Sequence, residues 1–159
     1  MRKFQLKIAT KIGPLYLVGT AQALHGVFWK KQNMEMVSAE HALETNLLKT
    51  AEQQLIEYLD GKRKTFTLPL QAEGTPFQQR VWKELMKIPY GQTRAYKDIA
   101  TAIENAKACR AVGTANGQNP LSIIVPCHRV IAADGTLGGY AGSVPIKKML
   151  LDIEQDQIS

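Results

Sequence analysis

Residues 71–78 constrain the fold of this chain more than any other stretch. A polar break, Gln71-Ala72-Glu73-Gly74, runs directly into Thr75-Pro76-Phe77-Gln78, which carries the marks of a helix start. Threonine serves as the N-cap, proline takes the first helical position where no N–H is needed, and glutamine three residues on completes a capping box. A helix that begins so abruptly after a turn-prone linker divides the chain. The spacing predicts two domains, 1–72 and 75–159, and 159 residues are enough for two small ones.

The patterns on either side of the break differ in kind. Before it, Phe4, Leu6 and Ile8 alternate, Gly13-Pro14 punctuates, and Leu15 to Thr20 and Gly26 to Lys30 form two more short apolar runs, which predicts an antiparallel sheet. Leu43, Leu47, Leu48, Leu55 and Leu59 then recur at helical spacing up to the stop at Asp60-Gly61, as expected of a helix that covers the sheet. Thr65 to Leu70 reads as a last strand. After the break, Phe77, Val81 and Leu85 make an apolar stripe that Pro89-Tyr90-Gly91 ends. Two short helical stretches follow, 95–103 and 107–116, parted by Glu104-Asn105-Ala106 in the outline of a helix-turn-helix, whose second helix usually contacts DNA. That second helix is small-sided, with Ala108, Ala111, Gly113 and Ala115. Such a face suits close approach to a minor groove about 6 Å wide, and it equally suits tight helix packing. Further on, Ile123-Ile124-Val125 reads as a buried strand, and Val130-Ile131 and Thr136-Leu137 as a hairpin around Ala133-Asp134-Gly135. Gly138 to Gly142 forms a loop able to pass close to a ligand, and a final helix is expected to turn Met149, Leu150 and Ile153 inward.

No run approaches the roughly 18 to 20 apolar residues that span a bilayer, so no membrane is expected and a cytoplasmic location follows. The only cysteines are Cys109 and Cys127, without the spacing of a zinc site, so reduced thiols and no metal are expected. The net charge of +6 is unevenly spread. From Arg80 to Arg129, eight basic residues (Arg80, Lys83, Lys87, Arg94, Lys97, Lys107, Arg110, Arg129) face three acids (Glu84, Asp98, Glu104). A basic stretch of this kind fits a polyanionic partner, and it also fits an ordinary solvated helix surface.

The stretch ends at Pro126-Cys127-His128-Arg129. A thiol has an unperturbed pKa of roughly 8.5 and needs a positive or hydrogen-bonding partner to ionise near neutral pH, a service an imidazole can provide. Neighbouring side chains on a strand point to opposite faces, so Cys127 and His128 need a bridging water or an irregular backbone to share a proton. A buried structural cysteine beside a surface histidine is the alternative.

Taken in order, Thr75-Pro76-Phe77-Gln78-Gln79-Arg80-Val81-Trp82, Ile88-Pro89-Tyr90-Gly91, Arg110-Ala111-Val112-Gly113, Asn119-Pro120, Pro126-Cys127-His128-Arg129-Val130 and Gly139-Tyr140-Ala141-Gly142 resemble the O6-alkylguanine-DNA alkyltransferases. The resemblance runs through residues 75–154. It implies an α/β two-domain fold, with an N-terminal ribonuclease-H-like antiparallel sheet plus helix and a C-terminal winged-helix-like helix-turn-helix domain. It further implies a monomer that binds double-stranded DNA from the minor groove, flips the damaged nucleotide, and moves the alkyl group of O6-alkylguanine, with O4-alkylthymine as a second substrate, to its own cysteine. No cofactor is implied.

Carried onto this sequence, the resemblance makes Cys127 the alkyl acceptor and His128 with Glu154 a water-linked relay that lowers the thiol's pKa. Tyr96 becomes the phenol beside the flipped base, and Arg110 the finger that fills the vacated stack. Ala111, Gly113, Thr114 and Ala115 join Arg110 as the DNA-binding face. Asn116, Val130, Tyr140, Ala141 and Gly142 line the substrate pocket, and Asn119 braces the turn before the active-site segment. Three positions depart from the common pattern: Ala95 stands for a frequent serine, Gly142-Ser143 for two glycines, and Asn116 for a methionine that walls the pocket in some relatives. Cys109 abuts the finger and is expected at a buried helix position.

Overall fold

A computed structural model describes residues 2–156 and divides the chain into two compact units, Met1–Ala72 and Glu73–Ser159. In the first unit, strands β1 (Phe4–Ile8), β2 (Leu15–Gly19) and β3 (Leu24–Phe28) form an antiparallel meander in the order β1-β2-β3. The expected alternation sets the register, which pairs Phe4 with Gly19 and Ile8 with Leu15. Helix α1 (Ala42–Leu59) buries Leu48, Ala51, Leu55, Tyr58 and Leu59. Gly19 allows the helix its close approach: a Cβ there would lie 2.9 Å from the Ala23 carbonyl oxygen and 3.2 Å from side-chain carbons of Leu47 and Leu48.

Two expectations for this unit need correction. Leu43 lies outside the core at 68% exposure, because the inward stripe of α1 begins only at Leu48. Residues 65–70 form no strand. A single parallel bridge, Leu24 to Leu70, is all that pairs, with Leu24 N–H donating to the Pro69 carbonyl and Gln71 N–H to the Leu24 carbonyl. Pro69 has no N–H, so the segment cannot sustain a ladder.

In the second unit, helix α2 (Pro76–Leu85) starts as the sequence predicts. Thr75 Oγ1 accepts from Gln78 N–H at 3.1 Å, and Gln78 Oε1 accepts from Thr75 N–H at 2.9 Å. Strand β4 (Arg94–Ala95) leads into α3 (Tyr96–Ala102), and a short turn leads into α4 (Cys109–Gly117), completing the helix-turn-helix. Trp82 Nε1 donates to the Ala115 carbonyl at 2.9 Å, which fastens α2 to α4 over a core of Val81, Leu85, Ile99 and Val112.

The hairpin expected from Val130 to Leu137 does not form. Strand β5 (Val130–Ile131) instead pairs in parallel with β4, Arg94 opposite Val130 and Ala95 opposite Ile131. The segment beyond it closes only as a turn, through Ala132 N–H to the Thr136 carbonyl. Residues 123–125 are buried as expected, yet they form a turn and no strand, with Ile123 at φ +74°. Left-handed backbone at a β-branched residue is rare and needs firm support from its surroundings. Helix α5 (Val144–Asp156) turns Lys147, Leu150 and Glu154 inward, whereas Met149 is 40% exposed. Positions 147, 150 and 154 share one helical face, and two of the three are charged.

Candidate active site

The site is assembled around a short helical turn, Cys127–Arg129, that follows directly from the buried turn at 121–125. Asn119 braces that turn: its Nδ2 donates to the Val125 carbonyl at 2.9 Å and its Oδ1 accepts from Leu121 N–H at 3.0 Å. The 3₁₀ geometry supplies the irregular backbone that an extended strand would have denied. Cys127, His128 and Arg129 are therefore buried together, with His128 completely enclosed.

Glu154 is the hub. From α5 it accepts His128 Nε2 at 2.8 Å, Arg129 Nε at 2.9 Å, Arg129 Nη2 at 3.0 Å and Gly91 N–H at 3.1 Å. Arg129 also donates to the Ile88 carbonyl at 2.7 Å and lies over the Tyr90 ring. The final residue of the basic stretch is thus an internal strut and no contact for a polyanion. Arg80 donates to the Ile103 carbonyl yet stays exposed, as do Lys83, Lys87, Lys97, Lys107 and Arg110, while Arg94 is half-buried.

Burial sets the protonation states. It pushes the Cys127 thiol up, against the lowering effects of the Asn119 side chain, the Lys147 charge and backbone N–H groups. The lowering expected of a water-linked relay through His128 and Glu154 would act against this burial. Burial also drives His128 down, although the neighbouring Glu154 carboxylate pulls it up. Geometrically the pair is a salt bridge, but burial is the largest influence and holds the imidazole below its ordinary value, which favours the neutral ring at pH 7. Tyr96 is raised by burial first and by Cys127 second, so its phenol keeps its proton.

A cavity of about 300 Å³ is lined by Asn116, whose Nδ2 donates to the Cys127 carbonyl at 3.3 Å, and by Tyr96, which feels the Cys127 charge; Cys127 itself does not line it. Gly113, Asn116 and Gly117 of α4 form one wall, Tyr96 another, and residues 139–141 a third. Gly138 holds the loop against Tyr96. It adopts φ +71°, and a Cβ there would stand 3.0 Å from Tyr96 Oη. The resemblance places Val130 and Gly142 in the pocket; neither lines this cavity, and Val130 is fully buried behind it. On α4, Arg110, Ala111 and Thr114 are exposed and Gly113 is half-buried. Ala115, grouped with them in sequence, is only 2% exposed and packs inward beneath Trp82, so it offers no surface to DNA. Cys109 is half-buried at the start of α4, and its Sγ donates to the Ala106 carbonyl at 3.8 Å.

Lys147 is the residue that sequence reasoning missed. Its Nζ is buried, donates to the carbonyls of Val130 at 2.6 Å, Leu137 at 2.5 Å and Gly139 at 3.3 Å, and is lowered to about 8 by burial. It ties the strand after the thiol to the pocket loop. The available signal was its place one helical turn from Leu150 and two from Glu154. Ser143, standing where a second glycine is common, takes φ +110°, a conformation that glycine would adopt without strain.

The same division of the chain emerges from comparison with known proteins. Residues 5–72 match the ribonuclease-like domain of 6-O-methylguanine DNA methyltransferase, and residues 76–156 match its DNA binding domain. The chain belongs to the 6-O-methylguanine DNA methyltransferase family. Among members of that family, the methylated-DNA–protein-cysteine methyltransferase of Methanosarcina barkeri is 45% identical over 152 residues, covering 95% of this chain and 96% of its own. The constitutive methyltransferase of Bacillus subtilis is 55% identical over 130 residues, covering 81% and 76%. The crystal structure of Mycobacterium tuberculosis OGT in complex with DNA superimposes with a TM-score of 0.84 at 40% identity, over 99% of this chain and 94% of that one. The two-domain α/β architecture with a C-terminal helix-turn-helix is therefore that of the methyltransferase family. No helix among the described residues is long and apolar enough to cross a membrane.

Proposed function

We propose that this protein is a methylated-DNA–protein-cysteine methyltransferase, which repairs O6-alkylguanine in double-stranded DNA by taking the alkyl group onto Cys127. The observation that carries the reading is the buried His128–Glu154 pair, joined at 2.8 Å and packed with a buried cysteine beside a cavity. Its relatives supply the reaction class by name, and the neighbour solved on DNA supplies the partner.

The roles that the resemblance implies are compatible with this geometry. The target carbon lies inside the duplex, so the nucleotide must rotate into the cavity before sulfur can line up behind it. The exposed Arg110 fills the gap, with Ala111, Gly113 and Thr114 letting α4 approach the minor groove. As the sulfur attacks, neutral His128 takes the thiol proton through a bridging water and Glu154 stabilises the resulting imidazolium. The carbon–sulfur bond forms and the carbon–oxygen bond breaks. The departing guanine oxyanion collects a proton through Tyr96 and hydrogen bonds from loop N–H groups at 140–142. A thioether has no hydrolytic exit in this site, so each molecule acts once. A monomer in the cytoplasm meets these requirements.

The test is intact-mass measurement after incubation with a duplex carrying one O6-methylguanine, followed by peptide mapping. One added methyl group on Cys127, and none in Cys127→Ala, is the expected result. A methyl group on Cys109, or many turnovers per molecule, would refute the proposal.

A further inference from the structure

Lys147 is fully buried and takes no part in the reaction as drawn above. Its Nζ donates to the carbonyls of Val130, Leu137 and Gly139, so all three of its donors meet neutral oxygens. Glu154, the one buried acid among the described residues, is taken by His128, Arg129 and Gly91 N–H. Asp134, the single acid of residues 130–143, is exposed and bonded to Thr136. With His128 neutral, Arg129 and Glu154 cancel, and Lys147 remains an enclosed positive charge without an opposite. A buried ammonium in that condition is costly, and such groups gather where their charge is used. The anchoring carbonyls indicate the use: Val130 directly follows the Cys127–Arg129 turn, and Gly139 lines the cavity with Tyr96 and Asn116.

Resting on the alkyl-transfer reading above, we infer that Lys147 is a positioning residue for methyl transfer, whose anchored ammonium supplies the positive charge that favours the ionised sulfur of Cys127. The coupling runs both ways. The Lys147 charge lowers the thiol's pKa, and a charged Cys127 raises that of Lys147, which burial brings down to about 8. The ammonium transfers no proton. The S–H bond breaks toward water and His128, the electron pair stays on sulfur, and Lys147 opposes the charge left there until the carbon–sulfur bond forms. None of the neighbouring groups can take this role: Arg129 is matched by Glu154, Tyr96 and Tyr140 carry no positive charge in any state, and the Lys147 charge itself disfavours a protonated His128.

Alkylation of Cys127 by iodoacetamide should be followed from pH 6 to 10 in the full chain, with peptide mapping to separate it from Cys109. In Lys147→Met, which keeps an unbranched stem and removes the charge, the apparent pKa of Cys127 should rise by about one unit, and single-turnover methyl transfer from O6-methylguanine at pH 7 should fall about tenfold. The sign separates this from a merely structural role, because a loop loosened by the lost hydrogen bonds would let water reach the sulfur and lower its pKa. An unchanged or lowered Cys127 value in the variant would overturn the inference. The native protein tests it even if the variant fails to fold. The Cε resonance of Lys147, followed by NMR, should titrate at least about half a pH unit lower once Cys127 is alkylated, because a thioether cannot supply the opposing charge. Identical titrations before and after alkylation would overturn the inference as well. Absence of transfer from O6-methylguanine by the native protein, with both titrations as expected, would instead strike the functional reading itself.

Discussion

The first unit buries Gln5, Thr20, His25 and Gln54; the second buries His128, Arg129, Lys147 and Glu154 beside two asparagines. The neutral amides of the first unit stitch backbone that has no ladder of its own. Gln5 Nε2 donates to the carbonyls of Gln32 and Met34, and its Oε1 accepts from Gln32 N–H. Gln54 does the same for Thr67, accepting from its N–H at 2.9 Å and donating to its hydroxyl at 3.0 Å. The second unit buries groups that ionise: His128 and Arg129 meet at Glu154, and the Lys147 charge acts on the Cys127 thiol. A buried amide costs little once it is paired, whereas a buried charge costs several kcal/mol unless fully compensated. Ionisable groups collected in one dry place therefore point to chemistry, and paired amides point to architecture.

The sharpest way to break this contrast is Glu154→Gln. Arg129 would lose its charge partner inside the core, at a cost of about 3–5 kcal/mol, read as a fall in the urea midpoint. His128 would also lose the carboxylate that raises its basicity, so methyl transfer should slow by about a hundredfold under conditions where the variant is folded. An unchanged transfer rate would remove Glu154 from the chemistry and leave it a structural strut.

A milder effect is expected from Gln54→Ala, which orphans Thr67 N–H. The variant should lose about 1–3 kcal/mol of stability and transfer methyl groups at the native rate below its melting temperature. A slowed reaction would show that the first unit's polar groups serve the site after all.

The smallest effect is an acid limb in stability. His128 is held below its unfolded value of 6.5, so the unfolded chain binds the proton first as pH falls. Its contribution is fully present above that value and is lost on acidification, by at most about 1.4 kcal/mol per pH unit until the folded pKa is reached. Thermal melts from pH 7.5 to 5 should show the decline in the native protein and less of it in His128→Gln. Identical profiles would mean that His128 is already charged in the fold.

Much of this was legible in the chain. The capping box at Thr75 and Gln78, the alternation of Phe4 to Ile8 and the helix-turn-helix spacing depend on neighbours within a few residues, where periodicity and capping chemistry act. The Pro126-Cys127-His128-Arg129 segment stood out because a thiol beside an imidazole has limited uses. The strand expected at 65–70 failed because one proline lacked a donor, and the hairpin at 130–137 failed because β4, more than thirty residues away, offered a better partner. Ala115 looked like part of a DNA-facing stripe, yet a small residue suits a groove and a helix interface equally, and only Trp82 decided between them.

What the sequence by itself determined was the set of local decisions: where helices begin, where the domains part, and which thiol could react. Tertiary structure alone decided which charges go inside. Lys147 and Glu154 look like surface residues of an amphipathic helix, and burying them is tolerable only because the carbonyls of Val130, Leu137 and Gly139 meet the one and Arg129, His128 and Gly91 meet the other. Those partners are brought together from distant parts of the chain. The energy of a buried charge is set by its partners in three dimensions, which no periodicity along the chain encodes.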